Sequence, residues 1–451
     1  MPSILFIHEN FPAQFGGIAS HLAGQGWTVI YATAHEHFVE GRLHRRPQGY
    51  DVLRYKRGRE TRNDSHRYLV GTERAVLNGQ GLARAAYSLK ATGFEPDVIV
   101  AHSGWGSGSF AKIVWPNAPL IQYLEWWYNW PGTDTLPEES SGTSEDNSAR
   151  TLARNLPFLL DFQQAAKVWM PTHFQAKQVP DFVRDNTIVQ HDGVNCDIFR
   201  PAIAEDKRFS IRNLPNEAPI ATFATRGMEP MRGFPTFMAA AAKLQSEHKD
   251  LHIVVAGGDK THYGRKPKGS KSWKQHALKV HDFDPKRLHF TGLLPKPTYT
   301  KLLQRTQAHV YLTRPFVLSW SLIEAAATAC PLVVGDVAPV REALPDDDLA
   351  KFVPLDDHEA LSDGVDWCLK NQKKAHAMGL RARKTICERY HQPISFDALE
   401  LMFRKVITKS KSNKTRGAFL DQDNLEPAIF TQNKSMPATS NTFSAASGTT
   451  G

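Results

Sequence analysis

The sequence predicts an α/β chain of two doubly wound, Rossmann-like domains in tandem, facing across a cleft. Three observations predict it: short apolar strands that do not alternate, helices between them, and the same rhythm starting again half-way along. Strands apolar on both faces belong to parallel sheets covered by helices, and strands alternating with helices build such sheets. At 451 residues the chain is long enough for two cores of ordinary size.

SILFIH reads as the first strand, ENFPAQFGG as a Pro/Gly-punctuated loop, IASHLAGQ as a helix and WTVIYAT as the next strand. PDVIVAHS (Pro96 to Ser103) is a strand running into the glycine-rich GWGSGS, which reads as a flexible loop, and APLIQYLE (Ala118 to Glu125) is another strand. AKVWMPT and NTIVQHDGV carry the pattern to about residue 195. PIATFAT (Pro219 to Thr225) restarts it, followed by the loop RGMEPMRGF and the helix PTFMAAAAKLQSEH. The strands LHIVVAGG, RLHFTGL and AHVYLT, the helix SWSLIEAAATAC and the strand PLVVGD complete the second unit. Glu359 to Val406 reads as helical with a break around HQPISF.

The expected organisation is an acceptor-side domain over 1–195, a polar, Pro-punctuated linker over 196–218 and a second Rossmann-like domain over 219–390. A helix over 391–409 is expected to return to the first domain. The tail 410–451, rich in Ser, Thr, Asn and Gly, is expected to be disordered.

Hydrophobic residues at 41% and charged residues at 22% are those of a soluble globular protein, and no run approaches the ~20 apolar residues of a bilayer span. No secretory signal is expected from the opening residues, which lack a basic region and a cleavage site. Cys196, Cys330, Cys368 and Cys387 are scattered, with no C-x-x-C pair, which fits a reducing compartment and neither a zinc site nor a disulfide framework. The expected location is the cytoplasm. The formal charge of +9 is concentrated in Arg42 to Arg62 and Gly264 to Lys274. These stretches read as solvated loops or as peripheral contacts with the inner face of a membrane, and not as nucleic-acid binders, since they match no such motif.

Two arginines in a strand-to-helix loop, Arg226 and Arg232, suit a diphosphate, because guanidinium groups fork onto phosphate oxygens and a helix start adds amides and dipole. The same residues fit ordinary surface charges. Glu324 falls in the first turns of a helix that follows a strand, where ligands bind in open α/β sheets. A carboxylate there accepts ribose hydroxyls while the amides around Ser319, Ser321 and Leu322 face phosphates. The bland alternative is a Glu favoured by the helix dipole.

In order along most of the chain, YLTRPFVLSWSLIEAAATACPLVVGDVAPVREAL, TRGMEPMRG, QHDGVNCDIFRP, HIVVAGG, HFTGLLP, HENFPAQFGG and VIVAHSGWG together resemble the motifs of family 4 retaining glycosyltransferases of the GT-B fold. The resemblance implies that Arg226 and Arg232 hold the diphosphate of a nucleotide sugar, Glu324 its ribose and the backbone near Leu293 and Leu294 its base. It implies His102 beside the transferring sugar, Gly16 and Gly17 where the first loop approaches the donor, and no metal or other cofactor. The acceptor it implies is a saccharide, a lipid-linked or a small molecule. One departure stands out: the family's Glu-x7-Glu pair has Phe316 in place of its first acid. Glu125 and His8, at strand ends of the first sheet, are candidates for binding acceptor hydroxyls, with Trp126, Trp127 and Tyr128 either stacking on a sugar or packing as core. Asp282-Phe283-Asp284 and Asp346 to Asp348 read as polar turns, and Gly104, Gly106 and Gly108 lack phosphate-loop spacing. The alternative readings are another GT-B enzyme, such as a sugar-nucleotide epimerase, and a non-catalytic nucleotide-sugar-binding protein.

Overall fold

A computed structural model of the chain describes residues 1–136, 144–203 and 208–422. Its first sheet contains β1 (Ser3–His8), β2 (Thr28–Thr33), β3 (Leu43–Arg45), β4 (Asp51–Arg54), β5 (Val98–His102), β6 (Leu120–Tyr123), β7 (Ala165–Met170) and β8 (Thr187–Val189). Their order is β3-β4-β2-β1-β5-β6-β7-β8, parallel except for the β3–β4 pair. The second sheet contains β9 (Ile220–Gly227), β10 (His252–Gly258), β11 (Leu288–Gly292), β12 (Ala308–Tyr311), β13 (Leu332–Gly335) and β14 (Lys351–Val353). It is ordered β11-β10-β9-β12-β13-β14 and is parallel throughout. The two GT-B units are therefore present, and each sheet reverses its winding once, between β1 and β5 and between β9 and β12.

The absence of alternation in the strands follows from burial on both faces. Along β1, Ile4 and Phe6 enter one core while Leu5 and Ile7 enter another. Along β10, Ile253 and Val255 face one side, and Val254 and Ala256 the other. Successive side chains point to opposite faces, so a sheet covered twice needs apolar residues at every position.

Segment 43–91 differs from expectation. Within the first basic stretch lie β3 and β4, and the helix Val70–Ala91 follows. Several of the charges there are paired: Arg57 with Glu9 and Glu60, Arg59 with Glu73, Arg62 with Asp64. The GWGSGS segment is likewise not a flexible loop. Gly106, at φ 75°, caps the helix Ser107–Val114, and a Cβ on it would lie 2.3 Å from the Ala75 carbonyl oxygen. Only glycine tolerates both the left-handed backbone and that approach.

The helical C-terminal region resolves into His358–Lys370, Gln372–Tyr390 and Gln392–Gln422, so the break narrows to His391. Pro393 stands in the first turn, where its missing N–H costs no helical hydrogen bond. Of the segment expected to be disordered, 410–422 continue this helix and 423–451 lie outside the described residues. Phe396, Leu399, Met402, Phe403 and Ile407 form one helical face and join the core of Ile4, Phe6 and Trp169. The chain thus crosses between its halves twice, and the crossings hydrogen-bond to each other: the Val194 amide donates to the Tyr390 carbonyl (2.7 Å) and the Gln392 amide to the Val194 carbonyl (2.9 Å).

Phe403 is fully buried, with ring centroids 6.2 Å from Phe6 and 6.3 Å from Trp169. Phe403→Ala should cost about 3–5 kcal/mol, read as a lower denaturant midpoint with unchanged far-UV circular dichroism in the absence of denaturant.

Candidate functional site

Ligands in doubly wound sheets bind outside the carboxyl ends of the strands where the winding reverses. His8 ends β1 and His102 ends β5, which puts both at the first reversal. Arg226 lies near the end of β9, and Thr313 follows β12, at the second. A cavity of about 530 Å³ is lined by residues of both, among them His8, His102, Glu125, Arg226, Arg232 and Phe316.

Arg226 and Arg232 also line a deeper cavity of about 240 Å³ within the second domain, with Leu293, Leu294, Tyr299, Ser319 and Ser321. A short loop tied down by Glu229 presents Arg232. Buried Glu229 accepts hydrogen bonds from the amides of His262 and Tyr263, and Gly233 turns the chain at φ 73° into the helix Phe234–Glu247. Arg232 donates to the Thr313 hydroxyl (3.4 Å) and stands 5.8 Å from the Tyr263 ring centroid. Among the described residues neither arginine has a carboxylate within ion-pair distance. Two cations at one cavity without a counter-ion favour an anionic ligand.

Glu324 lines a neighbouring cavity of about 310 Å³ with Gly16, Gly17 and Lys296. Burial pushes its carboxyl up to about 7, against the opposing pull of Lys296. Gln14, Asp192 and Trp320 are common to this cavity and the interdomain one, so the three run together. Leu322 is wholly buried and contributes no side chain. Its amide is taken by the Ser319 carbonyl (3.2 Å) and that of Ser321 by the Ser319 hydroxyl (3.3 Å), so the helix start is capped internally rather than open. Gly16 and Gly17 are also required by the protein itself: a Cβ would lie 2.5 Å from Pro12 Cβ and 2.7 Å from Phe396 Cζ, respectively.

On the first domain, His102 Nδ1 lies 2.9 Å from the Ser103 carbonyl, an acceptor only, so Nδ1 carries the proton and Nε2 faces the cleft. Glu125 Oε2 is 3.8 Å from that Nε2. Burial pushes the Glu125 carboxyl up, but His102, Gln14 and Arg232 outweigh it and hold the group below its ordinary range. His8 does not reach the cleft as a free ligand. Its Nδ1 accepts from the Asn10 amide (2.9 Å), its Nε2 donates to Gln14 Oε1 (2.9 Å), and Gln14 Nε2 passes the chain on to Glu125 Oε1 (2.9 Å). Burial, then His102, lowers the His8 pKa well below its usual value, consistent with a neutral ring whose two nitrogens are both used.

The aromatics resolve as packing. Trp127 enters a core beneath the sheet, Trp126 meets Phe316 edge to face (4.8 Å), and Phe316 meets Tyr263 (5.4 Å). Phe316 thus serves as an apolar contact between the halves. Asp192, unremarked in the sequence, accepts from Trp320 Nε1 (3.0 Å), and burial pushes it up to about 7. Asp284 of the D-x-D sequence is occupied by Arg287 and the Lys286 amide.

Residues 25–199 match the family model described as "Glycosyl transferase family 4 group" and residues 205–385 the model "Glycosyl transferases group 1". No curated protein sequence is detectably similar. Solved structures that resemble the chain include sucrose-phosphate synthase from Thermosynechococcus elongatus, at 15% identity and TM-score 0.67, over 91% of this chain and all of that one (100%). HepE from Anabaena, in complex with UDP and glucose, aligns at 12% identity and TM-score 0.61 over 90% of this chain and 100% of that one. A UDP-forming trehalose-phosphate synthase from Burkholderia xenovorans aligns at 13% identity and TM-score 0.62 over 90% and 99%. Fold and family models together define the class: the chain is a GT-B glycosyltransferase. Within that class it belongs to family 4. Among the described residues no helix is long and apolar enough to cross a membrane.

Phe316→Glu restores the family's usual acid but sets a carboxylate against Trp126, Met231 and Tyr263. Taking a carboxylate out of water costs several kcal/mol even where cations stand nearby, and the aromatic contact between the halves is lost with the ring. The expected outcome is a lower melting temperature and no gain in turnover.

Proposed function

We propose that the enzyme transfers a sugar from a nucleotide diphosphate donor, a UDP-sugar, to a saccharide, lipid-linked or small-molecule acceptor, with retention of anomeric configuration and without a metal. The observation that carries this reading is the pair of arginines at the second winding reversal, shared by two cavities and with no ion-pair contact to a carboxylate among the described residues. UDP in the HepE complex and in the reaction of the trehalose-phosphate synthase supports the choice of base. The family resemblance supports retention.

In this reading Arg226 and Arg232 hold the diphosphate and stabilise the charge that grows on it as the glycosidic bond breaks. The uracil lies along Leu293 and Leu294, and Glu324 accepts the ribose hydroxyls. Ser319 and Ser321 exchange their internal hydrogen bonds for phosphate oxygens. His102, anchored through Nδ1 to the Ser103 carbonyl, presents Nε2 to the sugar's hydroxymethyl group. Glu125 binds sugar hydroxyls from the first domain, held by Gln14, with His8 acting through Gln14 as a positioning residue. The site operates in the cytoplasm. Lys266, Lys268 and Lys271, in the second basic stretch, have no ion pair among the described residues and support a peripheral contact with an anionic membrane carrying a lipid-linked acceptor.

Arg232→Ala should lower kcat/KM for UDP-sugar by about 10²–10³-fold, measured by released UDP, with the melting temperature little changed. An undiminished rate would overturn the assignment. The pH dependence has a definite sign. Glu324 accepts ribose hydroxyls as a carboxylate, and burial raises its pKa to about 7, so the charged form is lost as pH falls through that value. Affinity for UDP, by calorimetry, should weaken from pH 8 to pH 6, and Glu324→Gln should flatten the profile; a wild-type affinity independent of pH would remove Glu324 from the ribose.

A further inference from the structure

The second sheet has another end. At the amino ends of β9, β12 and β13, across the sheet from the arginine pair, lies a cavity of about 590 Å³. That size is typical of small-molecule sites. Its wall carries Arg208, Lys301, Arg305, Lys373 and His376, and among the described residues no carboxylate lines it.

Arg305, the last residue of the helix Lys296–Arg305, is a buried cation held by backbone carbonyls and, among the described residues, by no carboxylate. It is 5% exposed. One terminal nitrogen donates to the Phe209 carbonyl (2.8 Å) and the other to those of Pro215 (2.5 Å) and Asn216 (3.0 Å), while its buried Nε has no partner. Carbonyls satisfy donors but do not neutralise a charge, and a buried cation without a counter-ion is costly. Burial, then Arg208, pushes the Arg305 pKa down, and Glu217 opposes this only weakly. Glu217 is itself engaged by Arg208 (2.8 Å). Lys301, half-buried on the same helix, has no carboxylate partner among the described residues. The wall also offers the amides of Gln304 and Gln372 and the apolar faces of Phe209 and Pro331, which suit an organic body attached to the anion.

We propose that this cavity is a second ligand site that takes a phosphate-bearing small molecule, its anionic group between Arg305 and Lys301 and its body along Gln304, Gln372 and Phe209. The site is separate from the cleft and does not rest on the reading given to it. It lies at the opposite end of the strands whose carboxyl ends carry the arginine pair.

The test is calorimetric titration of the full chain at low salt with glucose 6-phosphate, inorganic phosphate and glucose. Two variants separate the sites: Lys301→Ala with Lys373→Ala for this cavity, and Arg226→Ala with Arg232→Ala for the cleft. Glucose 6-phosphate should bind saturably to the arginine variant and about tenfold more weakly, or not at all, to the lysine variant. Glucose should not bind. Tighter binding of the ester than of inorganic phosphate assigns the organic body to the cavity; equal binding assigns the site to inorganic phosphate. Binding that disappears with the arginines and survives loss of the lysines, or no saturable binding in any form, would overturn the proposal. The lysines are exposed or half-buried, so their loss leaves the fold in place.

Discussion

The cleft depends on two guanidinium groups held at one wall, neither of them in ion-pair contact with a carboxylate among the described residues. Like charges placed together repel, and the repulsion is tolerable only because Arg226 remains exposed while Arg232 lies half-buried over the Tyr263 ring. The fold fixes the geometry through groups that never touch the cavity's centre. Glu229, buried behind the loop, ties the amides of His262 and Tyr263, and Gly233 supplies a turn that a Cβ would block at 2.3 Å from Leu312. The positive field at the second winding reversal is therefore preorganised, the condition under which electrostatics stabilises a charge that appears only during reaction.

The other half of the cleft is brought to that field by contacts of two kinds. Apolar contact runs from Trp126 through Phe316 to Met231 and Tyr263. Polar contacts surround it: the Glu342 carboxylate accepts from the amides of His173 and Phe174 (2.7 Å each), and Trp320 Nε1 donates to Asp192. The C-terminal helix adds a large apolar face buried in the first domain, and it reaches there only because the chain crosses back at His391 beside Val194. A pair of adjacent crossings restricts the relative orientation of two domains far more than one flexible linker does.

What was legible in the sequence follows the strength of the physical signal. Strands buried on both faces announced themselves as unbroken apolar runs, and Arg226, Arg232 and Glu324 could be singled out as candidates because they lie at or shortly after the carboxyl ends of strands. The helix Val70–Ala91 was hidden by its own glycines. A Cβ at Gly79 would lie 2.3 Å from Phe110 and one at Gly81 2.4 Å from the Lys56 carbonyl, so residues that normally weaken a helix are demanded here by close packing. The strands β3 and β4 were masked by shortness and charge: LHR and DVLR hold too few apolar residues in a row to read as strands. Gln14, Asp192 and Glu229 could not be singled out because each acquires its role from a partner far along the chain. The aromatics after Glu125 gave no way to distinguish stacking on a ligand from packing, since both use the same residue types.

Phe316 in place of an acid changes where the cleft's negative charge comes from. A carboxylate at that position would stand on the second domain, beside the arginines and in the loop that leads into the helix of Glu324. Here the carboxylate that enters the cavity is Glu125, from the opposite half, and it is kept charged by His102, Gln14 and the field of Arg232. Its interaction with Arg232 exists only while the halves are apposed. The aromatic contact that replaces the acid is also what apposes them, through Trp126, the residue immediately following Glu125. Substitution at one position thus removes a charge from one wall and, by the packing it introduces, secures a charge supplied by the other.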